Sequence, residues 1–357
     1  MVLPPPPSQP PPGVLGRRSV LLGTAVWCLG TAGCSGGAQS SPAPTSPGAR
    51  SRTPSAASPT GPASASGSPS GAASPAATLP EAVPWRPGPG EIEPAAKLAA
   101  VRLVEALGTW PAGQGGREAA AARVASLGVS ESIASQLAAE AGSLAPSADA
   151  AVVRVIDAQY GGILSDTASV LVVCDQPTLA GSAVHHGGTT VDVRLSLGSG
   201  GWAVTGLHPA APGPAKTLDS AARDVLAQSR IELPPASVAD IRSGAVHDSV
   251  LRAMLQLAGT YRLSVSVVRS GHPLDVFGTD RPSDHPLGRA FDVWRIDGRP
   301  VVDPATSRSL ITGFMRAAAS AGSYNVGGPV QLTGGATANQ FFSDNTHHDH
   351  VHVGFSS

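Results

Sequence analysis

Cysteine is scarce: three occur in 357 residues. Cys28 and Cys34 lie close to the N-terminus, and Cys174 stands alone. With Cys28 removed in a leader and Cys34 modified, the folded chain has no pair from which to build an intrachain disulfide. Cys174 closes the apolar run Val170–Val173 and reads as a small buried hydrophobe without catalytic weight. Charge is also sparse, at 14% of residues with a net charge of −1. That balance excludes the basic footprint of a nucleic-acid-binding protein. No apolar run reaches the ~20 residues that span a bilayer; the one from Val20 to Gly33 has roughly 14. Glutamate is absent after Glu232, so any carboxylate chemistry in the last third of the chain falls to aspartate.

Proline is concentrated instead: 19 of the 34 lie before residue 91. Between Gly36 and Pro80 the only charges are Arg50 and Arg52, in a background of Ser, Pro, Ala, Gly and Thr. Such a stretch buries too little to offset its ordering entropy, so 34–90 is expected to be a disordered linker. Residues 1–33 read as an export signal. Arg17-Arg18 before the short apolar run resemble a twin-arginine leader, and Thr31-Ala32-Gly33-Cys34 resembles a lipoprotein box. Cys34 would then carry lipid. The chain would be anchored to the outer face of a bacterial cytoplasmic membrane, on a tether with a mean span of roughly 40 Å.

About 265 residues remain, enough for two small cores. In 91–215, Leu98, Val101, Val104 and Leu107 recur at helical spacing, and Ser130 is placed to cap a helix holding Ile133 and Leu137. The period then changes. Val152–Ile156 and Val170–Val173 read as strands. Thr190–Leu197 alternates, with Val191, Val193, Leu195 and Leu197 on one face, and a Gly-rich turn returns the chain through Trp202–Val204. This predicts an α+β unit with a half-solvated antiparallel sheet. His185-His186 sit in a Gly-rich loop and read as solvated. After Ala211-Pro212-Gly213-Pro214, the segment 216–357 shows helices near Leu218–Ser229, Val246–Ala258 and Leu310–Ala319, and a strand Leu263–Val268. The expected fold class is α+β throughout, as two small units.

Six of the ten histidines lie at or beyond His272, four of them within His347–His352. His285 and Asp292 are seven apart in Ser283-x-His285-x-x-Gly288-x-Ala290-x-Asp292. A second pattern follows in Asp349-His350-Val351-His352. Two imidazoles and one carboxylate make a three-ligand set for Zn²⁺ with a fourth position open. His350 and His352, two apart in a strand-like run, would project to one face. Activated water still needs a proton acceptor, and Asp349 is the carboxylate beside the ligands; Arg269 could supply positive charge to a developing oxyanion. His272, Asp275, Asp280 and His347 read as loop residues outside the ligand set. Phe291 and Trp294 read as core.

These two patterns resemble the M15 zinc D-alanyl-D-alanine carboxypeptidases and the wider group shared with lysostaphin-type peptidases and the hedgehog domain. The resemblance covers residues from about 218 to the end. It implies His285, Asp292 and His352 as zinc ligands and Asp349 as catalytic carboxylate. It implies His350 as support for the transition state, Ser283 as a substrate contact and Arg269 as the carbonyl-polarising cation. It further implies a zinc metallopeptidase acting on peptidoglycan peptides, as a carboxypeptidase or endopeptidase. Val267-Val268-Arg269-Ser270-Gly271-His272 departs from the Ser-Gly-Tyr-Arg pattern common in that group. The alternative expectation is a non-catalytic, metal-containing cell-wall-binding lipoprotein.

Overall fold

A computed structural model describes residues 78–357, which belong to one compact α+β unit. The leader, Cys34 and the linker up to residue 77 lie outside the described residues. Among the described residues no helix is long and apolar enough to cross a membrane.

The first half begins with three helices, α1 (Pro94–Gly108), α2 (Arg117–Ala125) and α3 (Glu131–Glu140). Proline opens α1, where its missing N–H costs nothing, and the Ser130 hydroxyl caps α3 by accepting from Ile133 N. Two long hairpins follow. β2 (Arg154–Ile163), β3 (Thr167–Asp175), β6 (Gly188–Gly198) and β7 (Gly201–Pro209) form an antiparallel sheet in the order β2-β3-β6-β7. A small side sheet pairs β1 (Ala150–Ala151), β4 (Thr178–Ala180) and β5 (Ala183–His185). Val101, Val104 and Leu107 of α1 pack on Val170, Val172, Val191 and Val193 to make one hydrophobic core. Thr78–Glu93 precedes it as chain without helix or strand, turning at Pro89-Gly90, and Trp85 packs against this core.

The second half contributes α4 (Ser220–Ala227), β8 (Ile231–Glu232), α5 (Pro235–Arg242) and α6 (Asp248–Ala258). It continues through β9 (Leu263–Val265), β10 (Ala290–Ile296), β11 (Arg299–Pro300), α7 (Arg308–Ser320), β12 (Asn325–Gly327), β13 (Phe341–Phe342) and β14 (Val351–Gly354). Its mixed sheet runs β13-β12-β14-β10-β9-β8, with β11 paired to β10. Val250, Met254 and Leu257 of α6 and Ile311, Phe314 and Met315 of α7 cover one face of that sheet, against Phe291, Val293, Val351 and Val353.

The two halves meet through the sheet that was expected to be half in water. On β3, Val170, Val172 and Cys174 face the helices, while Leu171 and Val173 pack with Ile156 on Val267 of the second half. The expectation of a half-solvated sheet is therefore corrected for β2, β3 and β6, while β7 keeps exposed residues along its length. The polar residues on the second face, Gln159, Ser169 and Asp192, are buried and paired with partners, which removes the cost of covering them. Gly162 permits this approach, because a Cβ there would stand 2.1 Å from Phe277 Cβ.

Candidate metal centre

The mixed sheet places the donors. Antiparallel β10 and β14 set Asp292 directly opposite His352, and alternation turns both away from the core that holds Phe291, Val293, Val351 and Val353. His285 arrives from the loop before β10. A tight turn holds that loop, with Gly288 N donating to His285 O at 2.8 Å and Arg289 N to Asp284 O at 2.9 Å. Gly288 has φ +72°, and a Cβ there would lie 2.0 Å from Ala245 O. Gly288→Ala is therefore expected to destabilise the fold by about 2 kcal/mol or more, with backbone conformation and clash adding. Thermal unfolding of the purified variant measures it, and an unchanged midpoint would contradict this reading of the turn.

Three donor atoms converge. His285 Nε2, His352 Nδ1 and Asp292 Oδ1 lie 3.1 Å from one another in all three pairs. His285 Nδ1 is 3.0 Å from Val268 O; donating there fixes the tautomer and leaves the Nε2 lone pair for a metal. All three side chains are buried. Burial raises the Asp292 carboxyl, but the neighbouring imidazoles, His285 and His350 first, outweigh it and hold the group well below the usual carboxylate range. Burial pushes the His352 imidazole down to about 4, against the pull of Asp292. Both donors thus carry free electron pairs at neutral pH, the form metal binding requires. Among the described residues, His285 and Asp292 form with His272 a group of side chains that could hold a metal ion, and the 3.1 Å distances bring His352 Nδ1 to the same place.

His272 belongs to this centre, although it was expected to be a loop residue. Its ring stacks on His285 at 4.1 Å with an interplanar angle of 16°, and it forms a potential ligand group with His285 and Asp292. Burial and His285 hold its imidazole well below its ordinary value. Ser283 Oγ lies 3.4 Å from His272 Nδ1 and accepts from His285 N, bracing the loop while lining the cavity above the donors.

Asp349 is not placed as expected. Its Oδ2 accepts from Lys97 Nζ at 2.7 Å and from Tyr160 N at 3.1 Å, and its Oδ1 lies 2.6 Å from His350 Nδ1. Burial raises this carboxyl, but Lys97 and His350 reverse the effect and keep it ionised. With both oxygens engaged, it reaches the centre only through His350, whose Nε2 lies 3.8 Å from Asp292 Oδ2. Burial lowers the His350 imidazole, but Asp292 and Asp349 overcome it and push it up to about 9. Asp349 therefore contacts His350, Lys97 and Tyr160 N rather than the three donors. The side chains meet because Asp349 ends a 3₁₀ turn (Thr346–His348) before β14, outside strand alternation.

Arg269 is also displaced. Its backbone N–H and, at 3.8 Å, its guanidinium face Asp240, and it lines a separate cavity of about 760 Å³ with Arg194 and His208. The role of polarising a carbonyl at the donors is withdrawn for it, because the chain after β9 turns its side chain towards α5.

A cavity of about 570 Å³ opens over the donors. His285, His350 and His352 line it, together with Tyr160–Leu164 from β2 and its end, Arg281, Tyr324, Phe342 and His347. Nδ1 of His347 lies 2.7 Å from Asp344 Oδ1, and its ring centroid is 5.6 Å from that of His352. His347 was expected to be a loop residue outside the ligand set, and Lys97 escaped the sequence reading. The signal for Lys97 was its position on the apolar stripe of α1, with Ala100, Val101 and Val104.

Glu91, His348 and Asp349 form a second cluster of metal-ligating types. Lys97 Nζ contacts both Glu91 and Asp349, so an ammonium group already fills the position a cation would take. Comparison of the chain with protein-family models, curated proteins and solved structures finds no match.

Proposed function

We propose that this chain is a zinc-dependent peptidase that hydrolyses peptide bonds of peptidoglycan. The observation that carries the metal chemistry is the triangle of donors with 3.1 Å sides. Ligands about 2.0–2.1 Å from one tetrahedral zinc stand about 3.3–3.4 Å apart, close to what these residues offer without rearrangement. Two imidazoles with one carboxylate favour zinc over calcium or magnesium, which prefer oxygen. When bound, zinc supplies Lewis acidity that activates water and polarises a carbonyl.

The chain's own residues supply the rest. His347, oriented by Asp344, is positioned to take a proton at Nε2, and His350, oriented by Asp349, to donate one from Nε2 to developing negative charge. Tyr160–Ile163 and Phe342 wall the cavity and limit water. Its volume of about 570 Å³ suits a short peptide segment. The substrate class rests on the resemblance of the Ser283–Asp292 and Asp349–His352 patterns and on the export signal with its lipidated Cys34. These would put the cavity at the cell wall.

The test is digestion of purified peptidoglycan by the full-length protein, with products identified by mass spectrometry. New peptide termini that vanish with chelator and return with zinc are expected. His347→Ala is expected to lower kcat by about 10²–10⁴-fold with zinc retained; unchanged turnover would remove His347 from the proton path. The engaged oxygens of Asp349 and the displaced Arg269 favour a second reading, a metal-containing wall-binding module. Under it zinc binds stoichiometrically and no peptide bond is cut.

A further inference from the structure

We propose that the first half of the molecule is a working part of the metal centre, with Gln159 on β2 acting as the positioning residue for the ligand Asp292. This rests on the zinc reading above and extends it to a segment outside the Ser283–His352 patterns.

Gln159 is fully buried. Its neighbours Ala158 and Tyr160 belong to the first-half core, so alternation along β2 turns Gln159 towards the second half. There Nε2 donates to Asp292 Oδ2 at 2.6 Å, and Oε1 accepts from the Ser266 hydroxyl. Asp292 thus has one oxygen among the metal donors and the other held by an amide 133 residues away in sequence. A carboxylate ligand with its second oxygen tied down is fixed in rotation, and its preference for one-oxygen ligation is set before metal arrives. A buried amide between two polar partners has no hydrophobic reason to be there, since an apolar side chain would fill the space at lower desolvation cost. A second contact has the same origin: Tyr160 N and Lys97 Nζ of the first half hold Asp349, which holds His350.

The experiment measures zinc affinity of the purified full-length protein by chelator competition, with circular dichroism and thermal unfolding alongside. Gln159→Met keeps the volume and removes both hydrogen bonds; its zinc Kd is expected to rise about 10–100-fold while the fold is kept. Ser266→Ala frees the far end of the amide, together with a weaker 3.3 Å contact of the hydroxyl to Asp292 O, and is expected to raise Kd by about 3–10-fold, giving a milder variant should Gln159→Met not fold. A merely structural Gln159 would lower the unfolding temperature and leave zinc affinity of the folded protein unchanged. A Kd within twofold of wild type in folded Gln159→Met, or in Ser266→Ala if that variant alone folds, would overturn the proposal and leave the zinc reading standing. A wild-type protein that takes up no zinc would overturn both.

Discussion

Asp292→Ala is expected to leave the purified chain without stoichiometric zinc, where wild type holds about one ion per chain. Zinc sites with four protein ligands bind with about 10–16 kcal/mol, so each ligand carries roughly 3 kcal/mol and its loss weakens binding about 10²–10³-fold. Asp292 should lie at or beyond the upper end. It is the sole carboxylate in the donor triangle, and its removal also leaves Gln159 Nε2 buried without its acceptor and His350 without a facing charge. His352→Ala should behave alike, because the two residues are opposed across β10 and β14. Elemental mass spectrometry of both variants beside wild type gives the answer. Zinc retained at one per chain in either would mean that the metal sits elsewhere.

The second large effect is on stability. Lys97 is buried completely, between the carboxylates of Glu91 and Asp349. Burial lowers its ammonium pKa, but Asp349 and Glu91 overcome that and raise it, so the charge persists. Lys97→Met keeps the length and removes the charge. It leaves only the imidazoles of His348 and His350 to offset the carboxylates of Glu91 and Asp349, beside Asp157, whose carboxyl burial already pushes up to about 7 against the pull of Lys97. Breaking such a cluster costs about 3–5 kcal/mol, or roughly 6–20 °C in unfolding midpoint for a chain of this size. The double variant Lys97→Met/Asp349→Asn should recover part of the loss, because the orphaned charge goes with its partner. Thermal unfolding of the single and double variants tests this. A midpoint lowered by less than about 2 °C in Lys97→Met would show that the cluster is not held together by its charges.

Much of the second half is legible in the sequence, because its signals are local. The seven-residue step from His285 to Asp292 spans one turn and the start of one strand, and Gly288 is required by a φ of +72° that the motif itself encodes. The inward stripe Val250, Met254 and Leu257 follows from helical period and is buried. What escaped depends on contacts between distant segments. Alternation on β2 and β6 marks a polar face, but the pattern is the same whether that face meets water or a second layer of protein. Gln159 and Asp192 are buried because 266–292 and 269–278 cover them, and nothing in either strand states this. Lys97 reads as a polar interruption of α1, yet it is buried while Leu98, expected inside, is only half-buried. Its partner Asp349 lies 252 residues away. Asp349 was expected as the base because it is the carboxylate beside the ligands in sequence; its contacts with Lys97 and Tyr160 N come from segments far away in the chain.

The most direct test is an anomalous-difference map at the zinc absorption edge, from crystals of the purified protein grown with zinc. One strong peak within bonding distance of His285 Nε2, Asp292 Oδ1 and His352 Nδ1 is expected, with Gln159 still on the free oxygen of Asp292. A peak at Glu91, His348 and Asp349 with Lys97 displaced, or no peak between the three donors in zinc-saturated crystals, would contradict it.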